Sequence, residues 1–455
     1  MYVRVGGSAV DDGFGSAEDE DAERLEVGAA LPWRDSLGGG IVGGVAGVRE
    51  RVRAARALLD RPLTSYYLIL GITTLLLCLG LMMVLSTASV TDLNQGESPY
   101  HDFEWQVVGI VVGLPIMWLM ARSSPRVFRA MAYPLLAVSV IGLGLTLIPG
   151  VAVRHNDVAR WIAIGPITFQ PSELAKLALA VWGADLLARK EKLGMLVDWR
   201  HLLVPLIPGA GVLAVLVMAG DDLGTTSILL VVVLALLWIA GIPTRVFTAL
   251  LILMGLVLVL LIVARGYGSS RITDFLNPSS AGLTTANWQP TQGKYALGSG
   301  GLFGVGLGAS KEQWGWLPES SSDFIFAIIG EELGLVGTLC VTALYGGLAW
   351  AGLRVARRAP DTFSRLAAAA ITAWIVVQAV VNIGAVIGVF PITGVTLPLV
   401  SQGLSSVLVT MIGLGMLMSF ARREPGASQA LAARGPGAGS RVLSWLGRGT
   451  QRGLR

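Results

Sequence analysis

The sequence predicts an all-α polytopic membrane protein with ten transmembrane helices and one large extracytoplasmic loop between the seventh and eighth helices. Two observations carry this prediction. Hydrophobic residues make up 53% of the 455 residues and charged residues only 14%, which is too apolar for a soluble globular chain. The apolar residues are also gathered into stretches of about 20, the length of helix that crosses a bilayer.

Residues 1–61 are expected to form a disordered cytoplasmic tail. They mix glycine and other small residues with an acidic run over 18–23, a composition that buries too little apolar surface to fold. No apolar segment with a cleavage site opens the chain, so we expect no cleaved signal peptide. A basic amphipathic run over 48–59 has two interpretations: a helix lying on an anionic inner leaflet, or a solvated flank of the first span.

Ten apolar stretches follow and form the expected membrane domain, residues 62–424. Arginine and lysine are concentrated in every second connection, which by the positive-inside rule places those connections and both termini in the cytoplasm. Residues 425–455 are then a second disordered cytoplasmic tail. The predicted spans are 66–86, 105–121, 131–150, 172–188, 203–219, 224–241, 245–264, 323–350, 366–388 and 398–420.

The opposite, extracytoplasmic side also carries cations, namely Arg154, Arg160, Arg271, Lys294 and Lys311. Topology does not require positive charge on that side. Two explanations stay open: cations that clamp the phosphate of a ligand, or charges that only keep the outer loops soluble.

The outer loop over 265–322 is long for a connection, and a loop of this length inside a compact domain is usually functional. Its glycine-rich run over 298–309 contains the spacing of a dinucleotide fingerprint, but it lacks the preceding strand that such a site requires. We interpret the run as flexible backbone that packs on the membrane surface or re-enters the bilayer.

Glu173 and Lys176 stand three residues apart at the start of the fourth span and share one helix face. An ionisable side chain inside a span costs roughly 2.5–3.5 kcal/mol, so it usually finds a partner or a wet cavity. The pair therefore either faces a cavity or forms a structural ion pair between helices. Gln378 and Asn382, four apart on the ninth span, are expected to make interhelical hydrogen bonds.

Asp323 ends the outer loop, in the run Ser-Ser-Ser-Asp before an apolar helix. That pattern is typical of a helix N-cap, and a cap lowers the basicity of a carboxylate. Burial beside Phe324 and Phe326 would act in the opposite direction and favour a general base. The residues alone leave both roles open. Glu331 and Glu332 lie about 12 Å deeper along the same helix, which implies a polar track or hydrogen bonds between helices.

Composition excludes several other kinds of site. Cys78 and Cys340 both lie inside apolar spans, so we expect small core residues and neither a disulfide nor a metal site. The three histidines stand in separate loops and form no zinc or haem motif. Because no basic face on a soluble domain is found, nucleic acid is not an expected partner.

Taken together, these motifs resemble those of the SEDS family (shape, elongation, division and sporulation), the polytopic peptidoglycan glycosyltransferases that include FtsW and RodA. The matching segments run in family order over about 62–424. The form of residues 323–334 favours the division branch, FtsW, over the elongation branch, RodA. The matching residues are Ala159-Arg-Trp161, Gln170 to Lys176, Asp222 to Thr225, Arg271, Phe275 to Pro278, Gln292, Gly298 to Gly301, Gly304 to Gly308, Leu317-Pro-Glu319, Asp323 to Gly334, Asn382 to Gly384, Pro391 to Gly394, Leu397 to Ser401, and Ser405.

The resemblance implies a plasma-membrane enzyme that uses lipid II and has an outward cavity in which Asp323 is essential for polymerisation. We expect inverting glycosyl transfer at the outer face, with Asp323 as the catalytic general base. The leaving pyrophosphate needs positive charge, from basic side chains or from a divalent cation such as Mg²⁺ or Mn²⁺. Implied partners are lipid II, a class B penicillin-binding protein transpeptidase and other divisome proteins. It also implies that Glu173 and Lys176 face the cavity. The full set of expected substrate-binding residues is Arg160, Gln170, Glu173, Lys176, Arg271, Gln292, Lys294, Ser401 and Ser405.

Two other functions compete with polymerisation. A transporter that flips lipid II needs polar groups through the full membrane depth, and a scaffold for a transpeptidase needs no ionisable residues inside its spans. An elongation polymerase is the alternative within the family. Three departures from the family pattern affect the finer substrate contacts: Gly220-Asp221, the run 320–322, and Gln402 with Leu404.

Overall fold

Each of the ten predicted spans coincides with a helix in the computed structural model, which describes residues 62–96, 98–155, 158–165, 167–194, 199–265, 285–427 and 429–430. Two further helices, α5 and α9, precede the fifth and eighth spans. The described helices are α1 Thr64–Gln95, α2 His101–Arg122, α3 Pro125–Thr146, α4 Pro171–Lys192, α5 Trp199–Leu203, α6 Leu206–Ala219, α7 Leu223–Ile239, α8 Thr244–Arg265, α9 Thr285–Ser299, α10 Ile325–Arg358, α11 Thr362–Ile387 and α12 Leu404–Ala421.

The described helices fit a membrane protein. Seven segments are long and apolar enough to cross a bilayer, and two shorter apolar helices, Leu223–Ile239 and Thr244–Val257, add to them. The mostly helical fold and the multi-pass membrane character are therefore confirmed. The number of ten transmembrane spans, and the position of the large loop, stay predictions.

Among the ten helices that coincide with predicted spans, α4 is the least apolar, and it lies inside the bundle. It packs against α3, α7 and α11, and every residue from Pro171 to Ala188 is buried except Leu174. Asp185, in the C-terminal half of this helix, is fully buried, and its carboxylate accepts hydrogen bonds of 2.7 Å from Arg129 and from Arg189. A helix surrounded by protein can carry such groups, since its neighbours supply the partners that lipid cannot.

A small antiparallel sheet, which the all-α prediction missed, connects α3 to α4. Its order is β1 (Ala152–His155), β2 (Val158–Ile164) and β3 (Ile167–Phe169). Ile162 pairs with Ala152 on one side and with Phe169 on the other. The three strands are only 4, 7 and 3 residues long, and a pattern this short is hard to separate from a loop by periodicity. The sheet sets the position of Arg160, in the middle of β2.

The glycine-rich segment after α9 packs directly on α10. Its expected position on or in the membrane surface stays a prediction. The amides of Val305 and Gly306 donate to the carbonyls of Glu331 and Glu332, at 2.9 and 3.2 Å. A Cβ on Gly304, whose φ is +81°, would lie 2.0 Å from the Glu332 carbonyl oxygen. Only glycine allows this approach.

The two acids of α10 fix that segment to the bundle. The Glu331 carboxylate accepts from the Ser310 hydroxyl at 2.5 Å and from the Lys311 amide at 2.9 Å. The Glu332 carboxylate accepts from the Ser86 hydroxyl of α1 at 2.6 Å and from the Gly308 amide at 3.0 Å. Their role is therefore structural hydrogen bonding between elements.

The cysteines differ from the expectation in their exposure. Cys78 and Cys340 are free thiols, but both are exposed on the helix bundle. They were predicted as small core residues. An apolar span has a lipid-facing side as well as a protein-facing side, and hydropathy does not distinguish the two.

Candidate active site

A cavity of about 370 Å³ opens where three helices begin, α4, α10 and α12. The N-terminal end of a helix carries unpaired amides and partial positive charge, so three such ends together favour an anionic ligand. The described residues that line the cavity are Arg160, Trp161, Thr168, Gln170, Gln289, Glu319, Ser322, Asp323, Ile392, Thr393, Gly394, Thr396, Gln402, Gly403, Leu404, Ser405 and Ser406.

Asp323 lies on the wall of this cavity and is partly buried. The N-cap of α10 is Phe324, which makes no side-chain cap hydrogen bond, so Asp323 precedes the helix. The Asp323 backbone is held from α11, since the Asn382 amide donates to the Asp323 carbonyl at 2.8 Å and to the Val395 carbonyl at 2.7 Å. These two bonds fix the backbone of Asp323. Its carboxylate lies beside Gly394, which also lines the cavity.

A second carboxylate, Glu319, lines the same cavity. It has a φ of +56° and accepts from the Ser322 hydroxyl at 2.6 Å. In the sequence Glu319 is part of the motif Leu317-Pro-Glu319, which by itself indicates no role for it. The available signal is its spacing, four residues before Asp323 in the same loop.

Arg160 is the cation among the described lining residues. Its guanidinium donates to the carbonyls of Gly220, at 3.2 Å, and Asp221, and lies 3.9 Å from the Asp222 carboxylate. Asp222 in turn caps α7 by accepting from the Thr225 amide at 3.0 Å. The departure at 220–221 is therefore compatible with this contact, because Arg160 uses backbone carbonyls there and not side chains.

Gln170 and Ser405 also line the cavity, and they join two of its walls. The Ser405 hydroxyl accepts from the Gln170 amide at 3.1 Å and donates to the Thr168 carbonyl at 3.3 Å. Ser401 is 2% exposed and is not a lining residue. Its hydroxyl donates to the Ser322 carbonyl and accepts from the Leu397 amide, at 2.5 and 2.8 Å, so it holds the segment that carries Asp323.

Glu173 and Lys176 are buried between α4 and α11 and are not among the lining residues. The Lys176 ammonium is 0% exposed and donates to Glu173 and to Gln378, both at 2.8 Å. It also lies 5.6 Å from the centre of the Trp374 ring. Of the two alternatives, this geometry favours a structural ion pair, which lies within α4 and is joined to α11 by the Lys176–Gln378 hydrogen bond. The substrate-binding role of this pair stays a prediction.

The remaining predicted substrate residues lie elsewhere. Gln292 is buried on α9 and does not line the cavity, and Lys294 lies against Gly388 at the C-terminal end of α11. Arg271 falls outside the described residues. Gln402 and Leu404, two of the departures from the family pattern, line the cavity directly, and the pattern alone did not place them there.

The chain is similar to a known protein family, to named relatives and to solved structures. The family model described as "Cell cycle protein", for FtsW, RodA and SpoVE, matches residues 66–425. A probable peptidoglycan glycosyltransferase FtsW of Mycobacterium tuberculosis is 42% identical over 387 residues, which cover 85% of this chain and 73% of that protein. The stage V sporulation protein E of Bacillus subtilis is 35% identical over 357 residues, covering 78% and 96%.

Solved structures give the same family. One similar structure is a chain from a peptidoglycan synthase complex that coordinates polymerization and crosslinking. Its TM-score is 0.63 at 26% identity, and the match covers 78% of this chain and 96% of that one. The rod shape determining protein RodA of Thermus thermophilus is similar with a TM-score of 0.55 and 26% identity, covering 78% and 96%.

Proposed function

The chain belongs to the FtsW, RodA and SpoVE family of cell cycle proteins, and we propose that it is a peptidoglycan glycosyltransferase that polymerises lipid II with Asp323 as general base. The single observation that carries the proposal is the position of Asp323 on a cavity into which three helix N-termini point. A site that holds a carboxylate beside helix N-termini and an arginine suits transfer of a sugar from a pyrophosphate leaving group.

In the proposed reaction, one side of the cavity accepts a proton and other groups stabilise the leaving pyrophosphate. The hydroxyl of the acceptor sugar gives its proton to the Asp323 carboxylate as its oxygen attacks the anomeric carbon of the donor. The bond from that carbon to the lipid pyrophosphate breaks at the same centre, with inversion. Negative charge then grows on the pyrophosphate, and Arg160 with the amides at the starts of α4, α10 and α12 stabilises it.

A divalent cation fits the cavity only in part. Mg²⁺ is often held by one or two carboxylates together with substrate phosphates, and Glu319 and Asp323 are the carboxylates on the wall. No group of three metal-ligating side chains occurs among the residues that the structure describes. A bound cation would supply further positive charge for the pyrophosphate, and Glu319 is the residue that can hold it while Asp323 accepts a proton.

The cavity is proposed to face outward. Helices α4, α10 and α12 all begin at the cavity, and basic residues cluster at their other ends: Arg189, Lys190 and Lys192 for α4, Arg357 and Arg358 for α10, Arg422 and Arg423 for α12. Because cytoplasmic ends are rich in such residues, the opposite ends are extracytoplasmic.

Division is the proposed role, with a class B penicillin-binding protein as partner. The 42% identity with a relative named FtsW supports division over elongation. Similarity to a chain of a complex that coordinates polymerization and crosslinking supports a transpeptidase partner. Other divisome proteins stay an expectation.

Polymerisation of labelled lipid II by purified protein, with and without its transpeptidase, tests the proposal. Asp323→Asn keeps the size of the side chain and removes the base, so product should fall roughly 10²- to 10⁴-fold. Because Asp323 does not cap α10, the unfolding temperature of the variant should be unchanged. That result would show that the variant is folded. Near-normal glycan from Asp323→Asn would reject the role.

The same preparation separates a polymerase from a flippase. In the described bundle the buried charged groups of α4, Glu173, Lys176 and Asp185, are paired inside the protein. The cavity lies at one end of the helices. Neither feature favours a polar path across the membrane. Translocation of lipid II in proteoliposomes without any glycan product would support the flippase instead.

A further inference from the structure

A second cavity, of about 160 Å³, lies at the opposite end of the bundle, between the start of α1 and the ends of α2 and α12. Its lining includes Tyr66, Tyr67, Trp118, Arg122 and Arg422. Helix α12 has 18 residues, so this cavity lies about 27 Å from the candidate active site. One water needs only roughly 10–15 Å³ of such space, so the cavity has room for a much larger group.

Two guanidiniums line this cavity and form no ion pair with a carboxylate of the described chain. Arg122 stacks over the Trp118 ring, 3.9 Å from its centre. Arg422 donates to the Ala121 carbonyl at 3.4 Å. Both contacts orient the guanidiniums and leave donor groups for an anion, since each guanidinium has five N–H donors.

The walls that carry these arginines are held in place. A Cβ on Gly415 would lie 2.5 Å from the Met117 carbonyl oxygen, so α2 and α12 are in backbone contact there. The Ser419 hydroxyl donates to the Ser123 carbonyl at 2.7 Å, and this bond joins the two helix ends. A site with fixed walls loses little entropy when it binds a ligand.

The neighbouring Arg423 adds to the positive charge at this end. It turns back to Ser419, donating to the carbonyl at 2.9 Å and the hydroxyl at 2.6 Å. Burial lowers the pKa of the Arg423 guanidinium, the charge of Arg422 lowers it further, and Asp361 raises it. An anion beside Arg422 would relieve part of that repulsion.

We propose that this cavity binds the phosphate of an anionic phospholipid of the cytoplasmic leaflet, through Arg122 and Arg422. Guanidiniums match phosphate oxygens well, and Tyr and Trp suit the membrane interface.

The adjoining surface decides between a lipid and a soluble phosphate. On α2 the apolar residues Val111, Leu114 and Trp118 are 61%, 45% and 54% exposed, and they lead from the cavity towards the middle of a helix that is apolar enough to span the membrane. Such a surface accommodates acyl chains. The inference needs only a membrane-embedded chain and does not depend on the glycosyltransferase activity.

Native mass spectrometry of the full-length protein in a neutral detergent tests the site. The probes are phosphatidylglycerol, phosphatidylcholine and inorganic phosphate. Phosphatidylglycerol should bind to the wild-type protein more tightly than phosphatidylcholine. The variants Arg122→Gln and Arg422→Gln should each lose roughly fivefold in affinity for phosphatidylglycerol, from about 1 kcal/mol per basic residue. Arg126→Gln is the matched control, since Arg126 is exposed on the next helix and does not line the cavity.

Three outcomes would overturn the proposal. Equal affinity for the two lipids in the wild-type protein would do so without any variant, which covers the case of a variant that fails to fold. An equal loss in Arg126→Gln would mean that only total charge matters. Inorganic phosphate that binds as tightly as phosphatidylglycerol would make the site one for a soluble anion.

Discussion

Replacing Lys176 tests whether the buried pair on α4 is structural. Lys176 is fully buried, and its ammonium is the hydrogen-bond partner of one Glu173 oxygen, while the other oxygen of Glu173 has no partner among the described residues. The variant Lys176→Met has similar length and no charge. It would leave Glu173, which is 4% exposed, as an uncompensated buried charge.

The expected cost is large for the single variant and small for the double one. Removing one partner of a buried ion pair costs about 3–5 kcal/mol. The double variant Glu173→Gln with Lys176→Met removes both charges, so no uncompensated charge is left buried. Such double replacements often change the free energy of unfolding little. The double variant should therefore be more stable than Lys176→Met, with a coupling free energy of about 1–3 kcal/mol.

Thermal unfolding in detergent and polymerisation of lipid II are the two measurements. Since neither residue lines the cavity, the folded double variant should keep activity within a few fold of wild type. A double variant that unfolds like wild type but makes no glycan would refute the structural interpretation, and would return the pair to a role in the reaction.

Three further predictions concern the loop and the cavity. Gly304→Ala forces a side chain against a backbone carbonyl of α10, so it should lower the unfolding temperature by several degrees, whereas Gly298→Ala meets nothing within 4 Å and should change it little. Arg160→Lys keeps the charge but not the two carbonyl contacts, so the kcat/KM for lipid II should fall roughly 10- to 100-fold, at 1.5–3 kcal/mol for charge-assisted hydrogen bonds. Burial, and then the charge of Glu331, raise the pKa of Glu312 in the outer loop. A carboxyl with a raised pKa destabilises the folded state as the pH rises above its ordinary value of 4.5, so Glu312→Gln should protect the loop from proteolysis at neutral pH and not below 4.5.

Each of these has a result that would contradict it. Equal unfolding temperatures for the two glycine variants would mean that the loop moves away from α10 without cost. Wild-type kinetics in Arg160→Lys would mean that only the charge at that position is needed. A protective effect of Glu312→Gln that does not change with pH would show that ionisation is not its cause.

Most of the fold could be predicted from the sequence, because hydropathy is a local property. Stretches such as 66–86 and 366–388 predict helices that coincide with those of the structure, and the arginines between such stretches predict which helix ends face the same side of the membrane. The sheet around Arg160 could not be predicted, since its short strands are stabilised by pairing with each other. The exposure of Cys78 could not be predicted either, because hydropathy does not distinguish the lipid-facing side of an apolar helix from its protein-facing side.

The candidate site, like the fold, could be predicted from the sequence only in part. Asp323, Arg160, Gln170 and Ser405 were predicted and line one cavity. The segment around Glu319 became part of that wall through contacts with residues about 80 positions away, such as the bond of 2.5 Å from Ser401 to the carbonyl of Ser322.

Residue type and spacing are enough to predict the membrane class, the apolar spans, the family and the aspartate just before α10, because each is a local property of the chain. Three features come from the packed molecule: Asp323 precedes its helix instead of capping it, Glu173 and Lys176 pair inside the protein, and three helix N-termini meet at one cavity. Those features depend on which distant segments pack together, and packing between helices leaves no period in the chain.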